Sequence, residues 1–178
     1  MVGGFGIPTH GPDTGSKCPV KLCVQMANHG GMIGQPLPPF DLASSAGGSI
    51  TNADLMGKWT AIFFYPKDDS PGCTVQSCQF RDDYSQYEKL GAQLFGVSMD
   101  NIESHQKFAL KHRLPFPLLA DMKGVLRREL RIAKSFGVLP GRVTIIVDDT
   151  GIIRKIYNSQ LRFKQHSKVA LKFLQSNI

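Results

Sequence analysis

The 178-residue sequence has no apolar run approaching the roughly 20 residues needed to cross a bilayer, so it predicts a soluble protein without a helical membrane span. Four cysteines are too few for a secreted disulfide scaffold, and a reducing compartment with functional thiols fits better. Residues 1–36 hold no basic stretch leading into an apolar one, which argues against secretion, and no arginine, which weakens a transit-peptide reading. Acidic residues are scarce near the end. Residues 121–178 carry twelve Lys/Arg against four Asp/Glu, whereas residues 1–120 carry nine against ten. Neither aromatic interleaving nor a nucleic-acid motif accompanies this basic excess, so a solvated face is expected in preference to nucleic-acid binding. What remains, at 42% hydrophobic and 20% charged, is the composition of one ordinary globular domain. The Gly- and Pro-rich residues 1–35 show no hydrophobic period and read as a mobile leader before a domain spanning 36–178.

Trp59 to Tyr65 is a nearly unbroken apolar and aromatic run closed by Pro66. Both faces of such a strand need cover, which places it centrally in a sheet flanked by helices. Gln93 to Ser98 and Phe116 to Ala120 are shorter strand candidates. Arg142 to Asp148 and Ile152 to Tyr157 are β-branched runs joined by Asp149, Thr150 and Gly151, the pattern of a hairpin. Asp100 with Glu103 three residues on reads as a capping box for a helix reaching about His112. Near the C-terminus Val169, Ala170, Phe173 and Leu174 form one helical stripe, with Lys164, Lys168 and Lys172 opposite. A mixed α/β sandwich follows, parallel strands first and an antiparallel pair last. Sites in such sheets form beyond the carboxyl ends of the parallel strands, so the loop after Tyr65 is the first place to look.

That loop is Pro66-Lys67-Asp68-Asp69-Ser70-Pro71-Gly72-Cys73, and a helical pattern continues from Cys73 to about Leu90 with Cys73, Phe80, Tyr84 and Tyr87 on one face. Cys73 is then in the first turn and faces the sheet. Unpaired N–H groups and the positive end of the helix dipole favour an anion there, which raises the thiolate fraction of a thiol. Cys78 lies about 140° around the helix and about 8.6 Å away between Cα atoms. A disulfide needs about 6.8 Å or less, so a bond between the two requires the first turns to unwind. His105 and His112 lie near a stripe of Ile102, Phe108 and Ala109 and read as structural or partly exposed residues without a catalytic role.

The segment Phe63 to Thr74, with Pro66, Ser70 and Cys73 in Pro-x-x-x-Ser/Thr-x-x-Cys spacing, resembles the active-site segment of the peroxiredoxins. Cys78 five positions later, followed by Phe80-Arg81-Asp82, is similar to the peroxiredoxin Q or bacterioferritin-comigratory-protein subfamily. Gly137 to Thr144 and Ile156-Tyr157-Asn158 look most like plastid and cyanobacterial members. The resemblance spans about residues 36–176. It implies a thioredoxin-like fold, a central mixed β-sheet flanked by helices, carrying an N-terminal extension. It also implies a thiol-dependent peroxidase acting on hydrogen peroxide and organic hydroperoxides, with Cys73 peroxidatic and Cys78 resolving. Arg142 would stabilise the thiolate and orient the peroxide, Ser70 and the Cys73 N–H would bond it, and Pro66 with Pro71 would shape the pocket. No cofactor or metal is implied, and the reductant would be thioredoxin or a similar dithiol. The resemblance leans to a monomer in cytoplasm or plastid stroma. This chain departs from the subfamily in having Ser70 for the usual Thr and Gln76 for the usual Glu.

Two other readings compete. Cys18 and Cys23 repeat the spacing of Cys73 and Cys78, and two such pairs could hold zinc through four thiolates. Structural zinc pairs usually sit on tight knuckles, however, and Cys73 and Cys78 belong to a helix pattern. A thiol-disulfide oxidoreductase would be expected to show Cys-x-x-Cys spacing, which is absent.

Overall fold

A computed structural model describes residues 31–134 and 140–178. Cys18, Cys23 and the Gly137-Val138-Leu139 portion of the family-like motif lie outside the described residues, as does nearly all of the expected leader. A short hairpin, β1 (Asp41–Ser44) and β2 (Ser49–Thr51), and a 3₁₀ turn (Asn52–Leu55) come first. Then follow β3 (Thr60–Phe64), α1 (Pro71–Asp82), α2 (Tyr84–Lys89), β4 (Gln93–Ser98), α3 (Ile102–His112) and β5 (Leu118–Ala120). The chain continues through α4 (Val125–Glu129), β6 (Val143–Val147), β7 (Ile153–Asn158) and α5 (Gln165–Gln175).

The seven strands form one sheet in the order β2-β1-β5-β4-β3-β6-β7. β3, β4 and β5 are parallel, and β6 runs antiparallel to β3 with Phe64 opposite Val143. β3 is interior, and all five of its residues are buried. Its side chains alternate between two cores, as the period of two requires. Ile62 and Phe64 join Val97, Leu126, Leu130, Val143 and Ile145 on one face, while Ala61 and Phe63, with Tyr65 just beyond the strand, join Cys73, Phe80, Tyr87, Phe108 and Leu174 on the other. The Phe63 and Phe80 rings stack with centroids 4.2 Å apart, pinning α1 to the sheet two turns beyond Cys73.

Several local expectations shift. An antiparallel hairpin precedes the parallel strands as well as following them; β1 and β2 are short and half polar, too weak a pattern to stand out. The single helix expected from Cys73 to Leu90 breaks at Asp83, whose carboxylate accepts from Gln79 Nε2 at 3.0 Å and Ser167 Oγ at 2.7 Å. α3 is capped by Asn101, which accepts from Ser104 N at 2.9 Å. Asp100 is unavailable as the cap because its carboxylate accepts from Ser98 Oγ and from Asp68 N, each at 2.8 Å. On α5, Ala170 and Leu174 are buried as expected, with His166, Ser167 and Leu171 beside them. Lys164, Lys168 and Lys172 are exposed. Residues 34–37 lie along the edge of the sheet, with Gly34 N donating to Ile153 O at 2.8 Å and Ile153 N to Gln35 O at 2.9 Å. No helix among the described residues is long and apolar enough to cross a membrane.

Candidate active site

The loop between β3 and α1 is anchored by a buried carboxylate. Asp68 accepts from Tyr65 Oη and Ser104 Oγ at 2.7 Å each, and lies 2.8 Å from His105 Nδ1. Burial opposes its charge, but the bonds to His105, Ser104 and Tyr65 outweigh it and hold the carboxyl below the ordinary aspartate value. His105 is wholly buried and also meets Leu119 O at 3.2 Å, so its place is structural. These bonds tie the loop to α3 and set where α1 begins.

Pro71 is the first helical residue and Ser70 the extended N-cap, without a side-chain capping bond. Pro at this position costs no hydrogen bond, because the first N–H groups of a helix have no intrahelical partner. Cys73 is the third helical residue and fully buried. The antiparallel pairing of β6 with β3 brings the start of β6 to the same end of the sheet, and Arg142 Nη2 lies 3.3 Å from Cys73 Sγ.

The guanidinium is held from three sides. Nη1 donates to Gln76 Oε1 in a short hydrogen bond, Cζ sits 4.7 Å above the Phe163 ring, and Nη2 meets the sulfur. Gln76 thus fixes Arg142 without neutralising it, so the departure from Glu leaves the full positive charge facing Cys73. Gly72 makes the arrangement possible. A Cβ there would fall 2.7 Å from a Phe163 ring carbon and 3.3 Å from Arg142 Nη2, and even alanine would press on both.

Ser70 is half-buried, and its hydroxyl donates to Lys67 O at 3.1 Å. It offers lone pairs to an incoming group unless it rotates. Pro66 is also half-buried and follows Tyr65 directly. Cys78 stands on the same unbroken helix as Cys73, partly accessible, and both thiols are free. Beyond Phe163, an open pocket of about 430 Å³ is lined by Val75, Leu161 and Phe163 with polar neighbours.

Sequence reasoning missed Arg127. It is buried on α4 and donates to Gly141 O at 2.6 Å and Tyr65 O at 3.0 Å, linking the end of β3 to the residue before Arg142. Burial lowers its pKa to about 10, opposed by Asp121 and Cys73, so it remains charged at neutral pH. An arginine in a short, weakly patterned helix gave no signal of this. Among the described residues no group of three or more His, Cys, Asp or Glu is placed to hold a metal ion.

The AhpC/TSA family matches residues 33–156. A chloroplastic peroxiredoxin Q of Sedum lineare is 42% identical over 144 residues, covering 80% of this chain and 77% of that protein. The chloroplastic peroxiredoxin Q of Gentiana triflora is 44% identical over 140 residues, covering 78% of this chain and 64% of that one. Among solved structures, Xanthomonas campestris peroxiredoxin Q superposes with a TM-score of 0.72 at 30% identity, over 78% of this chain and 90% of the other. A fold with a buried cysteine at a helix start, a guanidinium on its sulfur and these relatives places the chain in the AhpC/TSA family, among the thiol-dependent peroxidases of the peroxiredoxin Q type.

Proposed function

We propose that Cys73 is the nucleophile of this peroxidase and Cys78 its resolving partner. The observation that carries the assignment is the Arg142 guanidinium 3.3 Å from a sulfur at the start of a helix. Both the guanidinium and the unpaired N–H groups of the first turn favour negative charge at Sγ. The Cys73 thiolate attacks the terminal peroxide oxygen, forming the S–O bond of a sulfenic acid as the O–O bond breaks. The leaving hydroxide or alkoxide takes up a proton, equivalent to the one the thiol released, to depart as water or alcohol. Arg142 steadies the charge that develops between the two peroxide oxygens. Ser70 Oγ and the Cys73 N–H bind the peroxide, and Pro66 shapes the wall beside them. The apolar side of the pocket at Val75, Leu161 and Phe163 suits the hydrocarbon part of an organic hydroperoxide.

Cys78 then condenses with the sulfenic acid. An intact helix holds the two Cα atoms about 8.6 Å apart, beyond disulfide reach, so the first turns of α1 must open. Amide exchange across residues 72–82 is expected to rise on oxidation, and equal protection in both redox states would refute the opening. A thioredoxin-like dithiol reduces the disulfide. The plastid relatives favour a soluble plastid enzyme, the family resemblance favours a monomer, and the Gly- and Pro-rich composition of residues 1–35 favours a leader ahead of the domain.

Stopped-flow oxidation by hydrogen peroxide tests the roles. Cys73→Ser is expected to abolish the fast reaction, and Cys78→Ser to leave a persistent sulfenic acid. A fast reaction that survives in Cys73→Ser would overturn the assignment.

A further inference from the structure

Cys78 has chemical company that the mechanism so far does not use. His112, the last residue of α3, places Nδ1 4.0 Å from Cys78 Sγ and Nε2 3.3 Å from Asp69 Oδ1. The two ring nitrogens thus face a thiol on one side and a carboxylate on the other. A proton on Nε2, bonded to Asp69, leaves the Nδ1 lone pair toward the sulfur, the tautomer a general base needs.

The surroundings hold the ring in place. Arg81 Nη1, one turn beyond Cys78, donates to His112 O at 2.9 Å, and the Phe108 ring packs edge-on with centroids 4.8 Å apart. Lys111 Nζ donates to the same Asp69 oxygen at 2.7 Å. Asp69 itself adopts φ 55°, a left-handed conformation that Asp accepts better than most residues. Lys111 and then His112 hold its carboxyl below the ordinary value, so it remains an anion that can stabilise an imidazolium.

From the Cys78, His112 and Asp69 juxtaposition we infer that His112 is the general base for disulfide formation, with Asp69 as its positioning residue; this rests on Cys78 being the resolving cysteine. His112 Nδ1 takes the Cys78 proton while α1 is still folded. When the turn opens, the Cys78 thiolate supplies the electron pair of the new S–S bond to Cys73. The sulfenic S–O bond breaks, and the leaving hydroxide takes the proton from the imidazolium to depart as water. His112 ends neutral, the two sulfurs end as a disulfide, and the only oxidant consumed is the peroxide that made the sulfenic acid. Asp69 lies four residues before Cys73, so the loop that positions the nucleophile also orients the base serving its partner.

The test is rapid mixing of the reduced full chain with hydrogen peroxide, with sulfenic acid and disulfide followed separately by chemical quench and mass spectrometry. His112→Ala is expected to slow conversion of sulfenic acid to disulfide by about 100-fold, the low end of what a positioned base contributes. The defect falls on this second phase. Added imidazole, which can occupy the space left and carry the proton, restores the rate in proportion to its basic form. His112→Gln, which can keep a bond to Asp69 and the packing on Phe108, is expected to be slow as well, guarding against a folding defect. Conversion in His112→Gln at the parent rate, or slowing in His112→Ala that imidazole leaves unchanged, refutes the base. If Cys78→Ser still forms an intramolecular disulfide, the assignment of Cys78 is wrong; if it stalls at sulfenic acid while the His112 variants convert normally, only this inference fails.

Discussion

Replacing Arg142 by Met removes the charge while keeping much of the side-chain length. In the parent, Nη2 contacts Cys73 Sγ at 3.3 Å and Nη1 bonds Gln76. A hydrogen bond to a charged group contributes about 1.5–3 kcal/mol. Expressed wholly in the transition state for peroxide attack, that range is about a 10- to 150-fold loss in the second-order rate constant. A second cost appears in folding. Gln76 Oε1 loses its donor in a fully buried position, and an unsatisfied buried acceptor costs about 1–3 kcal/mol. Arg142→Lys separates the two effects. A single ammonium can approach Gln76 or the sulfur, but it lacks the planar fork that spans both while stacked on Phe163. It is expected to recover most of the stability and only part of the rate. Stopped-flow kinetics with hydrogen peroxide and urea denaturation of the reduced protein read the two quantities independently. A peroxide rate constant for Arg142→Met within twofold of the parent would refute the role given to the guanidinium.

Three further outcomes follow from the geometry. Gln76→Glu adds an anion against Arg142 and is expected to slow peroxide attack while tightening the bond; an unchanged rate constant would show the substitution to be immaterial. Gly141→Ala forces a Cβ to 2.2 Å from the backbone oxygen of Ala133, which no rotamer change can relieve, and overpacking of this kind costs about 1–3 kcal/mol. Because Gly141 O also holds Arg127 and the next residue is Arg142, peroxide activity should fall with stability, and an alanine variant with parental melting temperature and rate would contradict this. Burial raises the pKa of Asp148, but the bonds it accepts from Thr150 Oγ1, Ile152 N, Arg154 Nε and Thr150 N prevail and hold it at about 2. With a lowered folded-state value its contribution, about 2 kcal/mol on the linkage scale, is complete above the unfolded value of about 3.9 and lost as pH falls toward 2. Asp148→Asn should therefore be less stable at neutral pH with the gap closing between pH 4 and 2, and a pH-independent gap in chemical denaturation would count against the ion.

The thiol at a helix start, the central strand and the fold class were legible in the chain itself, because each rests on local physics. The apolar run at 59–65 can only be covered on both faces inside a sheet. The Pro71-Gly72-Cys73 start sets a thiol in a first helical turn, and the spacing of Cys78 measures a distance along one helix. Asp83 and Asp100 were harder to read locally. A carboxylate in either position could serve a helix end, and the competing Ser167 hydroxyl and Asp68 N–H that engage them come from chain far away. Arg142 could be placed near Cys73 only on the condition that its strand ran antiparallel to β3, which strand pairing decides. Arg127 and His112 had no usable signal. What matters in each is contact with atoms from other segments, Tyr65 O and Gly141 O for one, Cys78 and Asp69 for the other. Periodicity and caps act over a few residues and are written in sequence order, whereas the direction of a guanidinium or an imidazole depends on which distant segments the packed sheet brings alongside.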